Sequence, residues 1–163
     1  TALVSASYRV LVDPVLARVR ALLGDGVFAT SVAGDEVRRG KPDPLPYRTA
    51  MDRLGVDPTG CVVLEDSRTG VAAGEAAGAL VVAVPDRQPV PPGPGRVVVD
   101  SLTVLDPARL AALLAAHHVR TGGTGASAGK SLPNRDVSRG LRSSHGKISG
   151  TSVPTAAGST GPA

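Results

Sequence analysis

Cys61-Val-Val-Leu64 is four apolar residues in a row, two of them β-branched, with no polar position left to face water. A strand with one wet face alternates; a run that does not alternate reads as a strand buried on both faces, as in a parallel sheet. Parallel strands need a crossover between them. The chain supplies one in the small-residue stretch Ser67 to Ala77, which stops at Gly78 and leads into a second apolar run, Leu80-Val-Val-Ala-Val84. One Phe, two Tyr and no Trp leave the core to Val, Leu and Ala, side chains small enough for helices to pack closely on such a sheet.

The rest of the chain repeats the alternation. Ala2-Leu-Val4 is a short apolar strand ending in Ser5-Ala-Ser7, where Ser7 is placed to cap a helix from Tyr8 to Leu23, with Pro14 as an early-helix residue or a break. Gly24-Asp-Gly26 ends that helix, Val27-Phe-Ala29 reads as a second strand, and Thr30 to Pro44 as a loop. Leu45 to Leu54 is a helix with Gly55 as its stop, and Val56 to Gly60 a turn. Arg96-Val-Val-Val99 is a last strand, and Asp106-Pro107 opens a helix through about His118. The pattern predicts an open α/β sheet over residues 1–118 with right-handed crossovers. Residues 119–163, rich in Gly, Ser, Thr and Pro and without periodicity, are expected to be a disordered basic tail.

Charge divides at the same place. Up to His118 there are 12 Lys and Arg against 13 Asp and Glu; beyond it six basic residues face one acid, Asp136. The net charge of +4 therefore belongs to the tail, and the predicted core offers no basic footprint for nucleic acid. The single cysteine, Cys61, excludes an internal disulfide framework and fits a reducing, cytoplasmic setting. No stretch approaches the ~18 apolar residues of a membrane helix, and no secretory signal opens the chain.

Ligands of open α/β sheets bind beyond the carboxyl ends of the strands. Three polar groups fall there: Ser5, a loop carrying Lys41 in Lys41-Pro-Asp-Pro44, and the adjacent carboxylates Glu65-Asp66. Lys41 is the only lysine before residue 130, in a region that otherwise uses Arg. A lone ammonium beside a carboxylate pair suits a magnesium-and-phosphate site, since Mg²⁺ takes one or two carboxylates plus waters and phosphate oxygens, and lysine is a point charge for phosphate. Two rival signals fail. Thr121 to Ser131 has the look of a phosphate-binding P-loop, but Thr124 stands where the first glycine belongs and no strand feeds it. His117 and His118 end a helix and complement its dipole.

Lys41-Pro-Asp-Pro44, followed by Leu64-Glu-Asp-Ser-Arg-Thr-Gly-Val71 and Ala76-Ala-Gly-Ala79, resembles the C-terminal half of the haloacid dehalogenase (HAD) superfamily. The nearest likeness is to the branch that holds β-phosphoglucomutase and sugar-phosphate phosphatases. The resemblance covers roughly residues 1–118. It implies a three-layer, Rossmann-like HAD core with a parallel sheet, lacking its N-terminal central strand and its cap. It also implies roles: Ser5, with its neighbours Ala6 and Ser7, holds a phosphoryl oxygen; Lys41 balances charge on the nucleophile and the transferring group; Asp66, with Glu65, holds Mg²⁺. The substrate would be a small phosphorylated metabolite.

The family's first motif, a strand ending in Asp-x-Asp that supplies the aspartyl nucleophile, has no counterpart, for no Asp-x-Asp occurs anywhere in this chain. The resemblance then implies that the absent strand is the central one, between those ending in Ser5 and Leu64, and that the chain as given is an inactive portion of a phosphatase-like hydrolase. A β-phosphoglucomutase-like mutase and a HAD-like binding module without catalysis are the alternatives, with a receiver-like or general Rossmann-like binding domain the weakest.

Overall fold

A computed structural model describes residues 1–122; the expected tail beyond them lies outside the described residues. Among them are five strands and four helices, alternating except between the last two strands, which a loop joins. In chain order they are β1 (Ala2–Val4), α1 (Arg9–Leu23), β2 (Thr30–Val32), α2 (Leu45–Leu54), β3 (Val62–Glu65), α3 (Arg68–Ala77), β4 (Leu80–Ala83), β5 (Arg96–Val98) and α4 (Pro107–Arg120). Every strand pairing is parallel. The last helix runs two residues past the expected end, closed by Thr121, whose N–H donates to the His117 carbonyl at 3.0 Å.

The local signals behind these elements are legible in the geometry. Gly55 and Gly78 stop α2 and α3 in the left-handed conformation, at φ 66° and 96°. Ser67 caps α3 by accepting from the Gly70 N–H at 3.1 Å, and Asp106 caps α4 by accepting from the Arg109 N–H at 2.7 Å. Ser7 does not cap α1. That helix starts later, with Tyr8 at its N-cap, and its first N–H, on Arg9, is taken by the Asp35 carboxylate at 2.9 Å. Pro14 sits inside α1.

The sheet is not continuous. Among the described residues β1 pairs only with β2, and β3–β4–β5 form a separate ladder, so β1 and β3 each keep one unpaired edge there. Between those edges lies an apolar cleft of about 440 Å³, lined by Thr1 to Val4, Cys61 to Leu64, Phe28, and residues of α2 and α4. This split corrects one expectation. β4 is the strand buried on both faces, whereas Leu64 of β3 is 47% exposed, because among the described residues no strand pairs with that edge. The second strand is also displaced: pairing with β1 falls on Thr30–Val32, and Phe28 faces the cleft instead.

The core gathers where the ladder is complete. Val63, Val81, Ala83, Val71, Ala73 and Ala77 pack together with Tyr47 and Met51 of α2. Gly74 brings α3 close to the sheet, where a Cβ would meet Val81 at 2.8 Å and Val63 at 3.1 Å. Among the described residues no helix is long and apolar enough to cross a membrane.

Candidate active site

The carboxyl ends of β1 and β3 meet at a cleft of about 520 Å³. All six residues singled out in the sequence line it: Ser5, Ala6 and Ser7 after β1, Lys41 after β2, and Glu65 with Asp66 at the end of β3. Ser67 and Thr69, from the start of α3, complete its polar wall.

Lys41 and Glu65 are its fixed centre. The ammonium donates to Glu65 Oε1 and, at 3.1 Å, to the Val4 carbonyl, so it ties the end of β1 to the end of β3. It also stands 4.8 Å from the centre of the Tyr47 ring, a cation–π contact. Two of its three N–H donors are thereby placed, which leaves a third for a ligand in the cleft. The Lys41–Pro42 peptide bond is cis.

Glu65 is 8% exposed and fully engaged. Its Oε1 accepts from Lys41 and from the buried Tyr47 hydroxyl, and its Oε2 from the Ser67 hydroxyl at 3.1 Å and the Asp66 N–H at 3.2 Å. Burial pushes the Glu65 carboxyl up, but the hydrogen bonds from Lys41, Tyr47 and Ser67 and the lysine's charge together outweigh it, so the group lies below the usual carboxylate range. Burial, and then the Glu65 carboxylate, push the Tyr47 phenol far up, which keeps it a proton donor at any ordinary pH. Gly70 makes room for this arrangement, since a Cβ there would land on the Glu65 carboxylate.

Ser5 accepts from the Ser7 N–H at 3.1 Å, so its hydroxyl proton remains available to a ligand. Gly34 holds the loop from outside: its N–H donates to the Ser7 carbonyl at 2.8 Å, and a Cβ there would strike the Ala6 carbonyl. Asp66 contrasts with its neighbour. It is exposed at the cleft, and its carboxylate has no hydrogen bond or ion pair among the described residues.

For Mg²⁺ the fit rests on Asp66. No group of three or more His, Cys, Asp and Glu gathers among the described residues, but Mg²⁺ needs only one or two carboxylates when water and phosphate supply the rest. Sequence reasoning missed Tyr47. Its signal was rarity, as one of three aromatic residues in the chain; nothing local foretold that its hydroxyl would reach Glu65.

A family model described as haloacid dehalogenase-like hydrolase matches residues 1–78. The protein CbbY of Rhodobacter capsulatus is 38% identical over 84 residues, which cover 52% of this chain and 37% of that protein. The phosphorylated carbohydrates phosphatase of Thermotoga maritima is 46% identical over 63 residues, 39% of this chain and 29% of that one. The chain thus spans well under half the length of these relatives. Among solved structures, β-phosphoglucomutase (pgmB) from Clostridium difficile matches with a TM-score of 0.61 at 22% identity, over 72% of this chain and 50% of the other, a likeness of fold. The two motifs, the parallel α/β architecture and these matches agree in one likeness, to the haloacid dehalogenase-like hydrolases, carried by residues 1–78.

Proposed function

We propose that the described residues form the phosphate-holding and charge-balancing part of a Mg²⁺-dependent phosphoryl-transfer site for a small phosphorylated metabolite, in a cytoplasmic phosphatase-like hydrolase. The observation that carries this reading is the convergence of Ser5, Lys41 and Asp66, from three separate loops, on one polar cleft at the strand ends. Ser5 donates its hydroxyl, and the Ala6 and Ser7 segment its surface, to a phosphoryl oxygen. Lys41 offers its remaining N–H to the same group, where positioned positive charge stabilises the charge that develops on transfer. Asp66 would hold Mg²⁺, which when bound neutralises phosphate charge. Glu65 supports it from behind by fixing Lys41, Tyr47 and the start of α3 rather than by offering a free oxygen.

The reading assigns binding to this chain and withholds turnover, because no Asp-x-Asp supplies the nucleophile. Calorimetric titration with inorganic phosphate, with and without Mg²⁺, tests the binding half. Affinity should rise with Mg²⁺ and should fall at least tenfold, about 1.4 kcal/mol, in Asp66→Asn. Phosphate binding indifferent to both Mg²⁺ and Asp66 would remove the reading.

A further inference from the structure

The segment Ser5-Ala-Ser7 runs straight into α1, and α1 begins without a cap of its own. Tyr8 at its N-cap makes no side-chain capping bond, and no acid stands in its first turn. One orphan donor of that turn is met from 26 residues away: Arg9 N–H donates to Asp35 Oδ1 at 2.9 Å. Asp35 sits in a short 3-10 turn, Gly34–Glu36, just after β2. The same turn holds the join between loop and helix, since Gly34 N–H donates to the Ser7 carbonyl at 2.8 Å and Glu36 accepts from the Arg9 guanidinium. Inside the loop, Ser5 Oγ accepts from the N–H two residues on, that of Ser7, at 3.1 Å. Serine hydroxyls commonly bond locally in this way. The equivalent bond from Ser7 would take the Arg9 N–H. It is not made: Asp35 has that N–H, and among the described residues the Ser7 hydroxyl has no partner.

We infer that Asp35 is a positioning residue for Ser7: by capping α1 from across the fold, it keeps the Ser7 hydroxyl off the helix end and free to donate to an anion in the polar cleft. The inference rests on the phosphate reading of that cleft and extends it to a residue that does not itself line the cleft. A serine recruited to the Arg9 N–H is drawn against the start of the helix. Relieved of that bond, Ser7 can turn its proton to the side that it, Ser5 and Ala6 present to the cleft. The sign of the effect separates this role from plain electrostatics. A carboxylate near an anion site repels the anion, so removing its charge should tighten binding. A carboxylate that acts as a cap does the reverse: removing the acceptor should weaken binding, and removing the charge alone should not.

Calorimetric titration of the whole chain with inorganic phosphate in the presence of Mg²⁺ is the test. Asp35→Ala and Ser7→Ala should each weaken phosphate binding about fivefold, the worth of one hydrogen bond. Asp35→Asn, which keeps the acceptor without the charge, should bind at least as well as the wild-type chain. Asp35→Ala combined with Ser7→Ala should bind no worse than Ser7→Ala alone, because the first change acts through the second. Binding by Asp35→Ala as tight as wild type, an Asp35→Asn variant as weak as Asp35→Ala, or additive losses in the double variant would each overturn the inference. A wild-type chain that binds no phosphate would remove the phosphate reading instead, and the inference is then decided by NMR of the ligand-free chain. There the Hα–Hβ couplings of Ser7, averaged over rotamers in the wild type and in Asp35→Asn, should settle to one rotamer in Asp35→Ala; couplings unchanged in Asp35→Ala would overturn it.

Discussion

The two ladders are made from the same kinds of residue and reach different states. In the β3–β4–β5 half, Leu80, Val81 and Val82 are essentially inaccessible, and α3 buries five of its ten residues. In the β1–β2 half, no residue of β1 is fully buried, and the fifteen-residue α1 buries only Val12 while Val10, Leu11, Val15, Leu22 and Leu23 stay exposed. The difference is one of neighbours, not of composition: an apolar segment becomes core only where something packs against it. Each half is also pinned by one carboxylate. Glu65 is buried and holds Lys41 and Tyr47, whereas Glu36 is half-exposed and joins Arg9, Arg53 and the Ala33 N–H around β2.

Breaking the link between the halves should have the largest effect. Lys41→Met leaves Glu65 buried without its counter-charge, and urea denaturation should show a loss of about 3 to 5 kcal/mol. Adding Glu65→Gln should recover part of that loss; a deeper loss in the double variant would mean that the pair is not the source. Leu80→Ala, in the complete half, should cost about 2 to 4 kcal/mol.

Gly70→Ala would force the Glu65 carboxylate from its place, and about 1 to 3 kcal/mol of stability should go with it. Acid should act through the same group. The folded carboxyl of Glu65 lies below its unfolded value, so the unfolded chain binds the proton first as pH falls. Its contribution is full above the unfolded carboxylate range, about pH 4.3, and disappears as pH drops through the folded value. Urea midpoints should therefore fall between pH 6 and pH 3 more steeply in the wild-type chain than in Glu65→Gln. At the small end, Leu11→Ala on the exposed face of α1 should change stability by no more than about 0.5 kcal/mol. A loss near that of Leu80→Ala would show that α1 has a packing partner and would dissolve the contrast.

Much of this architecture was legible in the residues. Gly55 and Gly78 marked helix ends by their conformational freedom, unalternated apolar runs marked buried strands, and two short motifs at strand ends marked the cleft. What was not legible depended on contacts distant in sequence. β2 was misplaced because Val27-Phe-Ala29 is the more apolar run, yet pairing with β1 selects Thr30–Val32, where Arg9 and Arg53 satisfy Ser31. The burial of β3 was overestimated because the pattern records what a strand is suited to, not whether its neighbour is there. The reading gave Mg²⁺ to Asp66 with Glu65 beside it, and the contacts that set the two acids apart, from Lys41, Tyr47 and Ser67 to Glu65, come mostly from residues distant in sequence.

Phosphorus NMR of p-nitrophenyl phosphate with the chain and Mg²⁺ tests the central claim most directly, because one experiment reads both binding and turnover. A site with its phosphate-holding half and no nucleophile predicts a broadened ester resonance that sharpens in Asp66→Asn, with no inorganic phosphate appearing over hours. Steady release of inorganic phosphate above the protein-free rate, or an ester resonance untouched by the chain and Mg²⁺, would contradict it.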